Sequence, residues 1–350
     1  MALAFDEVSG LESLDSLIKE AHRDRRFTVF ETLLHMAGEQ SMLISSKGNT
    51  QINYYRALLA FDLRHWEEAD KQFRSLNTDE LHNSLAGRAQ LYRGMSLEAK
   101  GMSDEAARIY QNCLKQLRDS DEHHDLAARL YERLAQAYLS QGDLKKAESH
   151  AKKSIAINQK SGDRVGEALN FETLGRIYGK FRDLTRAQHA FEKSIEMLDK
   201  AGREFAKAQI FSDLAMLYSS FANQEDAERY YQKALEVKVE AGDNYGLAFI
   251  YSNLGNVYLQ SQVTENALRY FRSSLNIFQQ FRDRLNSAKV LRSIALTYER
   301  RKNFESALEY MQQAVTALPP QSCWKSAYQK ELHRLEKGLQ QSKHRTRKKP

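Results

Sequence analysis

Proline is almost missing from this chain: of 350 residues only Pro319, Pro320 and Pro350 are proline. Residues 1–318 therefore contain nothing that removes a backbone N–H or fixes φ, which excludes a proline-rich architecture and leaves long helices uninterrupted. Cysteine is as scarce. Cys113 and Cys323 stand 210 positions apart and form no CxxC, so neither a disulfide framework nor a zinc site is indicated. Cys113 falls on an apolar helix face and reads as a small buried hydrophobe. No run of 18 apolar residues occurs. The start MALAFDEVSGLESLD, with Asp6, Glu7 and Glu12, lacks the basic start and apolar core of a secretory signal. A soluble, cytoplasmic protein is expected.

Catalytic signatures are missing as well. There is no GxxxxGK[ST], no GxGxxG, no GxSxG and no HExxH, so neither an enzyme nor a cofactor is expected. The ten histidines are scattered, with one cluster in DEHHD, residues 121–125. His123, His124 and Asp125 carry ligand atoms for a metal, but beside a predicted helix start they read as a solvated loop, and no metal site is assigned.

The net charge of +6 points superficially to nucleic acid. Its distribution does not. Lys343, Arg345, Arg347, Lys348 and Lys349 crowd the last eight residues, and taking those five from +6 leaves the rest of the chain near +1. A basic tail is a local device rather than a basic surface. Nucleic-acid association through the tail stands as the alternative function from another class, and its binding would be nonspecific and steeply salt-dependent.

What the chain does have is Ala, Leu, Glu, Lys, Gln and Arg, which favour helix, and a repeat. SNLGNVY, residues 252–258, recurs in phase as ERLAQAY (132–138), ETLGRIY (172–178), SDLAMLY (212–218) and RSIALTY (292–298), at a spacing of 40. A second signature follows each at fixed distance: AESHAKKSI from Ala147, AQHAFEKSI from Ala187, AERYYQKAL from Ala227, ALRYFRSSL from Ala267 and ALEYMQQAV from Ala307. Looser copies around Ala106 and Ala69 bring the total to about seven repeats over residues 50–320.

The spacing predicts two amphipathic helices per repeat. In the first, Leu, a small residue and Tyr at i, i+1 and i+4 make one apolar stripe; in the second, apolar residues stand at i, i+4 and i+8. The small positions permit close helix approach where Leu would overpack. Gly162, Gly202 and Gly242 stand 40 apart where each second helix should end, suiting a left-handed cap. Arg282 holds the fourth equivalent place, so that junction is expected to end differently. Stacked pairs share a continuous core, giving an all-α solenoid.

These signatures resemble the tetratricopeptide (TPR) family over about three quarters of the chain. The 40-residue period with GD or GR between units is similar to the subclass of the mitotic-spindle Leu-Gly-Asn adaptor, kinesin light chains and bacterial Rap-type peptide receptors. The resemblance implies a right-handed superhelical solenoid. The expected organisation is an N-terminal helical cap over 1–49, the array over 50–320, a capping helix over 321–341 carrying Trp324, Tyr328, Leu332, Leu335 and Leu339, and a disordered basic tail over 342–350.

In that family the first helix of each repeat lines a concave groove. The outward face of those helices here carries Arg129, Glu132, Arg133 and Gln136, then Glu172 and Arg176, then Gln209, Ser212, Asp213 and Met216, then Asn253 and Asn256, then Lys289 and Arg292. An Asn amide satisfies one backbone donor and one acceptor, so asparagines one turn apart suit capture of an extended peptide. The family's chaperone-tail clamp is disfavoured: Asn253 and Lys289 fit it, but Ser212, Met216 and Ser293 stand where its cations and its other Asn should be. The expected function is a non-enzymatic interaction scaffold or adaptor that binds a protein or peptide partner in its groove, or a peptide-signal sensor of the Rap type.

Overall fold

A computed structural model of the protein describes residues 28–29, 31–32, 34–35, 46–117, 124–319, 322 and 324–347. The expected N-terminal cap, His123, Cys323 and the last three residues lie wholly or largely outside these. The described residues form fifteen α-helices. They are α1 (Ser46–Asp62), α2 (Trp66–Ser75), α3 (Asn83–Ala99), α4 (Ser103–Gln116), α5 (His124–Gln141), α6 (Leu144–Ser161), α7 (Arg164–Lys180), α8 (Leu184–Lys200), α9 (Lys207–Ser220), α10 (Gln224–Glu240), α11 (Asn244–Gln260), α12 (Thr264–Gln280), α13 (Arg284–Arg300), α14 (Phe304–Ala317) and α15 (Lys325–Arg347). None is long and apolar enough to cross a membrane. The helices pair into seven hairpins followed by α15, an all-α solenoid. The chain divides into two compact units, Met1–Met197 and Leu198–Pro350.

The helices end where they do because one local device recurs every twenty residues from Gly142 onward. Gly142, Gly162, Arg182, Gly202, Ala222, Gly242, Gln262, Arg282 and Lys302 all have positive φ. The N–H of the next residue then reaches back five places to a helix carbonyl, as in Asp143 to Tyr138, Asp183 to Tyr178 and Asp283 to Phe278, at 2.8–3.0 Å. This is the Schellman closure, which satisfies carbonyls the helix end leaves open. The residue that closes one helix also starts the next: Oδ1 of Asp143, Asp163, Asp183, Asn223, Asp243, Asp283 and Asn303 accepts the backbone N–H three places on, at 2.7–3.2 Å. Such an N-cap contributes about 1 kcal/mol. Arg282 thus ends its helix as the glycines do, with φ 54°. The expectation that this junction differs does not hold, because the closure and the Asp283 cap together outweigh the roughly 1–2 kcal/mol penalty of a left-handed non-Gly residue.

Between turns the packing follows the repeat. Ala147, Ala187, Ala227, Ala267 and Ala307 are fully buried, as are or nearly are Leu134, Leu174, Leu214, Leu254 and Ile294. A Cβ added at Gly175 would sit 2.7 Å from the Phe191 ring, and one at Gly255 2.5 Å from the Phe271 ring, so glycine and phenylalanine fill one volume together. Buried Ser154, Ser194 and Ser274 donate to the carbonyls of Ala128, Ala168 and Ala248 at 2.6–2.8 Å, tying each second helix to its first. In four of the five signatures the tyrosine stacks on a ring of the second helix: Tyr138 on His150, Tyr218 on Tyr230, Tyr258 on Tyr270 and Tyr298 on Tyr310, all at 5.4 Å.

Within each unit the first helices also touch their successors: α1, α3, α5 and α7 in the first unit, and α9, α11 and α13 in the second. Each unit therefore presents a continuous face made of first helices. The last helix packs Tyr328, Leu332 and Leu335 against Ala307, Met311 and Ala314. It runs on to Arg347, past residue 341, where the disordered tail was expected to begin. Gln341 to Arg347 contains neither Gly nor Pro, and cations at a helix C-terminus are favoured by its dipole.

Candidate functional site

On the first unit's face the predicted residues are occupied with one another. Arg129 pairs with Asp125 at 3.4 Å. Arg133 donates to Gln136 at 3.2 Å, Gln136 donates to Glu132 at 3.2 Å, and Arg133 also lies 3.8 Å from Glu98. Burial pushes the Glu132 carboxyl above its usual range, and Arg133 opposes that rise. Arg176 pairs with Glu172 at 2.6 Å, one helical turn apart with the acid N-terminal, the favoured order.

The second unit's face is different. Gln209 donates to Asp213 at 3.2 Å, and Asp213 is only 3% exposed. The carboxylate was expected to face outward; instead, like Thr173 in the equivalent place, it turns into the helix pair just before the core leucine. It adds to the burial that raises the Tyr231 hydroxyl's pKa. Lys289 is exposed and donates to Asn286 at 3.3 Å. Arg292 makes a two-pronged ion pair with Glu331 of α15, at 2.7 and 2.6 Å, and its guanidinium lies over the Tyr328 ring. Among the described residues, the amides of Asn253 and Asn256 make no hydrogen bond.

One cavity of about 380 Å³ gathers several of these groups. Asn256 of α11 and Lys289 and Arg292 of α13 line it together with Trp324, just ahead of α15, and Tyr328 and Glu331 of α15. Trp324, read from the sequence as part of the capping stripe, is 48% exposed. The α15 helix covers the end of the array from Tyr328 onward, and Trp324, the residue before its start, walls the cavity. Asn253 lies one turn before Asn256, outside the cavity lining.

Two apolar residues, one on the first-helix face of each unit, were not among the predicted ones. Leu169 and Phe249 are each 42% exposed. They share a register with Arg129, Gln209 and Lys289, so the 40-residue period itself pointed to them. Phe249 is braced edge-on by Tyr245 and Phe278, and Met216 stands exposed in the register of Asn256. The second unit's face is therefore part apolar and part amide, with little ionic pairing except at Arg292. Such a surface offers ring and methyl contacts plus a few unengaged hydrogen-bonding groups.

Several solved structures share this fold. A Rap protein complexed with Competence and Sporulation Factor matches with a TM-score of 0.63 over 95% of this chain and 99% of its own, at 11% identity. Aspartyl phosphate phosphatase F from Bacillus subtilis matches with a TM-score of 0.60 over 85% and 76%, at 14% identity. BtubC from P. vanneervenii matches with a TM-score of 0.51 over 64% and 94%, at 20% identity. At these identities the likeness is one of fold. None of the curated proteins matches by sequence. The tetratricopeptide repeat model matches residues 85–160, 164–238 and 246–319. Those matches cover well over half of the sequence and six of the seven hairpins, and the chain belongs to the tetratricopeptide repeat family.

Proposed function

We propose that the protein is a non-enzymatic interaction scaffold whose second unit captures an extended peptide or disordered segment of a partner on its first-helix face. The observation that carries this reading is the cavity where Asn256, Lys289 and Trp324 converge while the Asn253 and Asn256 amides remain unengaged. A peptide backbone laid along α11 satisfies both amides, and a side chain or terminal carboxylate entering the cavity meets the Lys289 ammonium and the Trp324 ring. Glu331 already neutralises Arg292, so Lys289 supplies the attraction for an acid. The first unit's face, with its charges paired internally, contributes shape and little affinity. The Rap protein of similar fold, described as complexed with Competence and Sporulation Factor, supports an effector as the occupant, and in that case filling the face would be the signal.

Selection from a random peptide display library on the wild-type chain tests this. The expected hits bind the wild type, and N253A/N256A weakens them about tenfold, the loss of one or two net hydrogen bonds, while helical circular dichroism and melting temperature hold. Failure to enrich any peptide, or hits that bind the double variant equally, would overturn it.

A further inference from the structure

A second site lies in the first unit, on a different part of the repeat. In three sister hairpins a ring of the second helix is sandwiched between two rings of the first. His150 lies between Tyr131 and Tyr138, at 5.7 and 5.4 Å. Tyr230 lies between Phe211 and Tyr218, at 6.3 and 5.4 Å. Tyr270 lies between Tyr251 and Tyr258, at 6.1 and 5.4 Å. In α7–α8 the two outer rings are kept, as Phe171 and Tyr178, but the middle place is Ala190.

The missing layer leaves a cavity of about 320 Å³ walled by Phe171, Leu174, Tyr178 and Ala190. An apolar cavity of about 150 Å³ is enough to take up benzene. Exposed Lys152, Arg186 and His189 stand at its mouth, so it opens to solvent. Arg186 does not replace the ring. Its guanidinium lies 4.6 Å over Tyr178 and is held by Asp183 at 2.6 Å, but the equivalent Lys146 lies 5.2 Å over Tyr138 with His150 also in place. Cation and ring coexist on that tyrosine. Tyr178 is fixed from its other end, its hydroxyl donating to Glu148 at 3.0 Å.

We propose that this slot receives an aromatic side chain of a partner polypeptide, stacked between Phe171 and Tyr178 where the sister hairpins insert a ring of their own. The sister residues define the occupant: a flat ring of tyrosine or histidine size, with offset-stacking partners on both faces. The site is independent of the Asn253 and Asn256 face.

The test uses the full chain and N-acetyl-fluorophenylalaninamide, a blocked aromatic residue, followed by ligand-observed fluorine NMR with N-acetyl-tyrosinamide as competitor. The wild type is expected to bind one equivalent in competition with the tyrosine amide. Ala190→Tyr, which fills the slot from within, should weaken the probe about tenfold or more, losing both ring faces, and raise the melting temperature. Tyr230→Ala should open a second slot and a second equivalent of binding. Absence of binding to the wild type, binding unchanged in Ala190→Tyr, an unfolded Ala190→Tyr chain, or binding of free phenol but not of the blocked amides would each overturn the proposal.

Discussion

The hairpins α7–α8 and α11–α12 are built on one frame and differ on both sides of it. Leu174, Gly175, Tyr178 and Phe191 in the first correspond to Leu254, Gly255, Tyr258 and Phe271 in the second, and the glycine–phenylalanine contact is the same to within a few tenths of an ångström. On the outward face, Leu169, Glu172 and Arg176 of the first correspond in register to Phe249, Ser252 and Asn256 of the second. At the middle of the ring sandwich, Ala190 of the first stands against Tyr270. The frame tolerates both a missing ring and an exchanged outer face, because the glycine–phenylalanine contact that sets the helix spacing is kept in both hairpins. Within the signature itself, buried Leu174, Gly175, Leu254 and Gly255 hold the frame, while Glu172, Arg176, Ser252 and Asn256 change with the outward face.

Altering the shared frame has the largest expected effect. Gly255→Val should cost on the order of 2 kcal/mol or more, since the added branch meets the Phe271 ring, a rigid neighbour with no room to move. Thermal and urea melts of the variant check this, and an unchanged midpoint would mean that the helices do not pack in this register. Tyr270→Ala makes α11–α12 resemble α7–α8 at the sandwich. It should cost about 2 kcal/mol through lost burial and stacking with Tyr251 and Tyr258, while binding on the Asn253 and Asn256 face is unchanged.

Arg282→Gly sharpens the comparison of the turns. It replaces a left-handed arginine, φ 54°, by the residue found at Gly162, Gly202 and Gly242, and should stabilise the chain by about 1 kcal/mol, read as a higher urea midpoint.

His150 occupies the sandwich in a titratable form. Burial holds its pKa below the ordinary value, helped by Lys153 and Lys146 nearby. The fold thus disfavours the charged ring. This stabilising contribution is full above about pH 6.5, the ordinary histidine value, and is lost as pH falls through the lower folded value. Melting temperature measured from pH 8 to 5 should drop more steeply in the wild type than in His150→Phe; parallel curves would sink the assignment. The smallest effect is expected from the exposed pair of the α7 face: Glu172→Gln should change stability by no more than about 0.5 kcal/mol and leave peptide binding in the second unit untouched.

Much of the frame was legible beforehand. The 40-residue spacing of Ala147, Ala187, Ala227, Ala267 and Ala307 marked the buried close-approach positions, and all five are fully buried. Cys113 is buried as read, with its thiol pushed up to about 11 by that burial. The turn at Arg282 was misread because glycine was taken as the requirement, whereas the closure is made by backbone hydrogen bonds that any residue provides at a cost. The outward face was legible only as a list of positions. Whether Asp213 points out or in depends on a rotation of less than one residue's arc about its helix, and periodicity does not resolve that.

The helices, most of their turns and the stripe each one buries were legible in the chain, because these follow from local spacing and from side chains capping their own backbone within a few residues; the Arg282 turn and the extension of α15 to Arg347 were not. The stacking of the helices fixed which polar groups are engaged with one another and which remain available: Arg176 with Glu172, Arg292 with Glu331 from 39 residues away, Asn253 and Asn256 with no partner among the described residues. It alone decided that Trp324 walls a cavity and that Ala190 leaves a ring-sized slot. Pairing and cavities are set by which elements the stack brings side by side, and a one-dimensional repeat records the period of that stack without recording what meets across it.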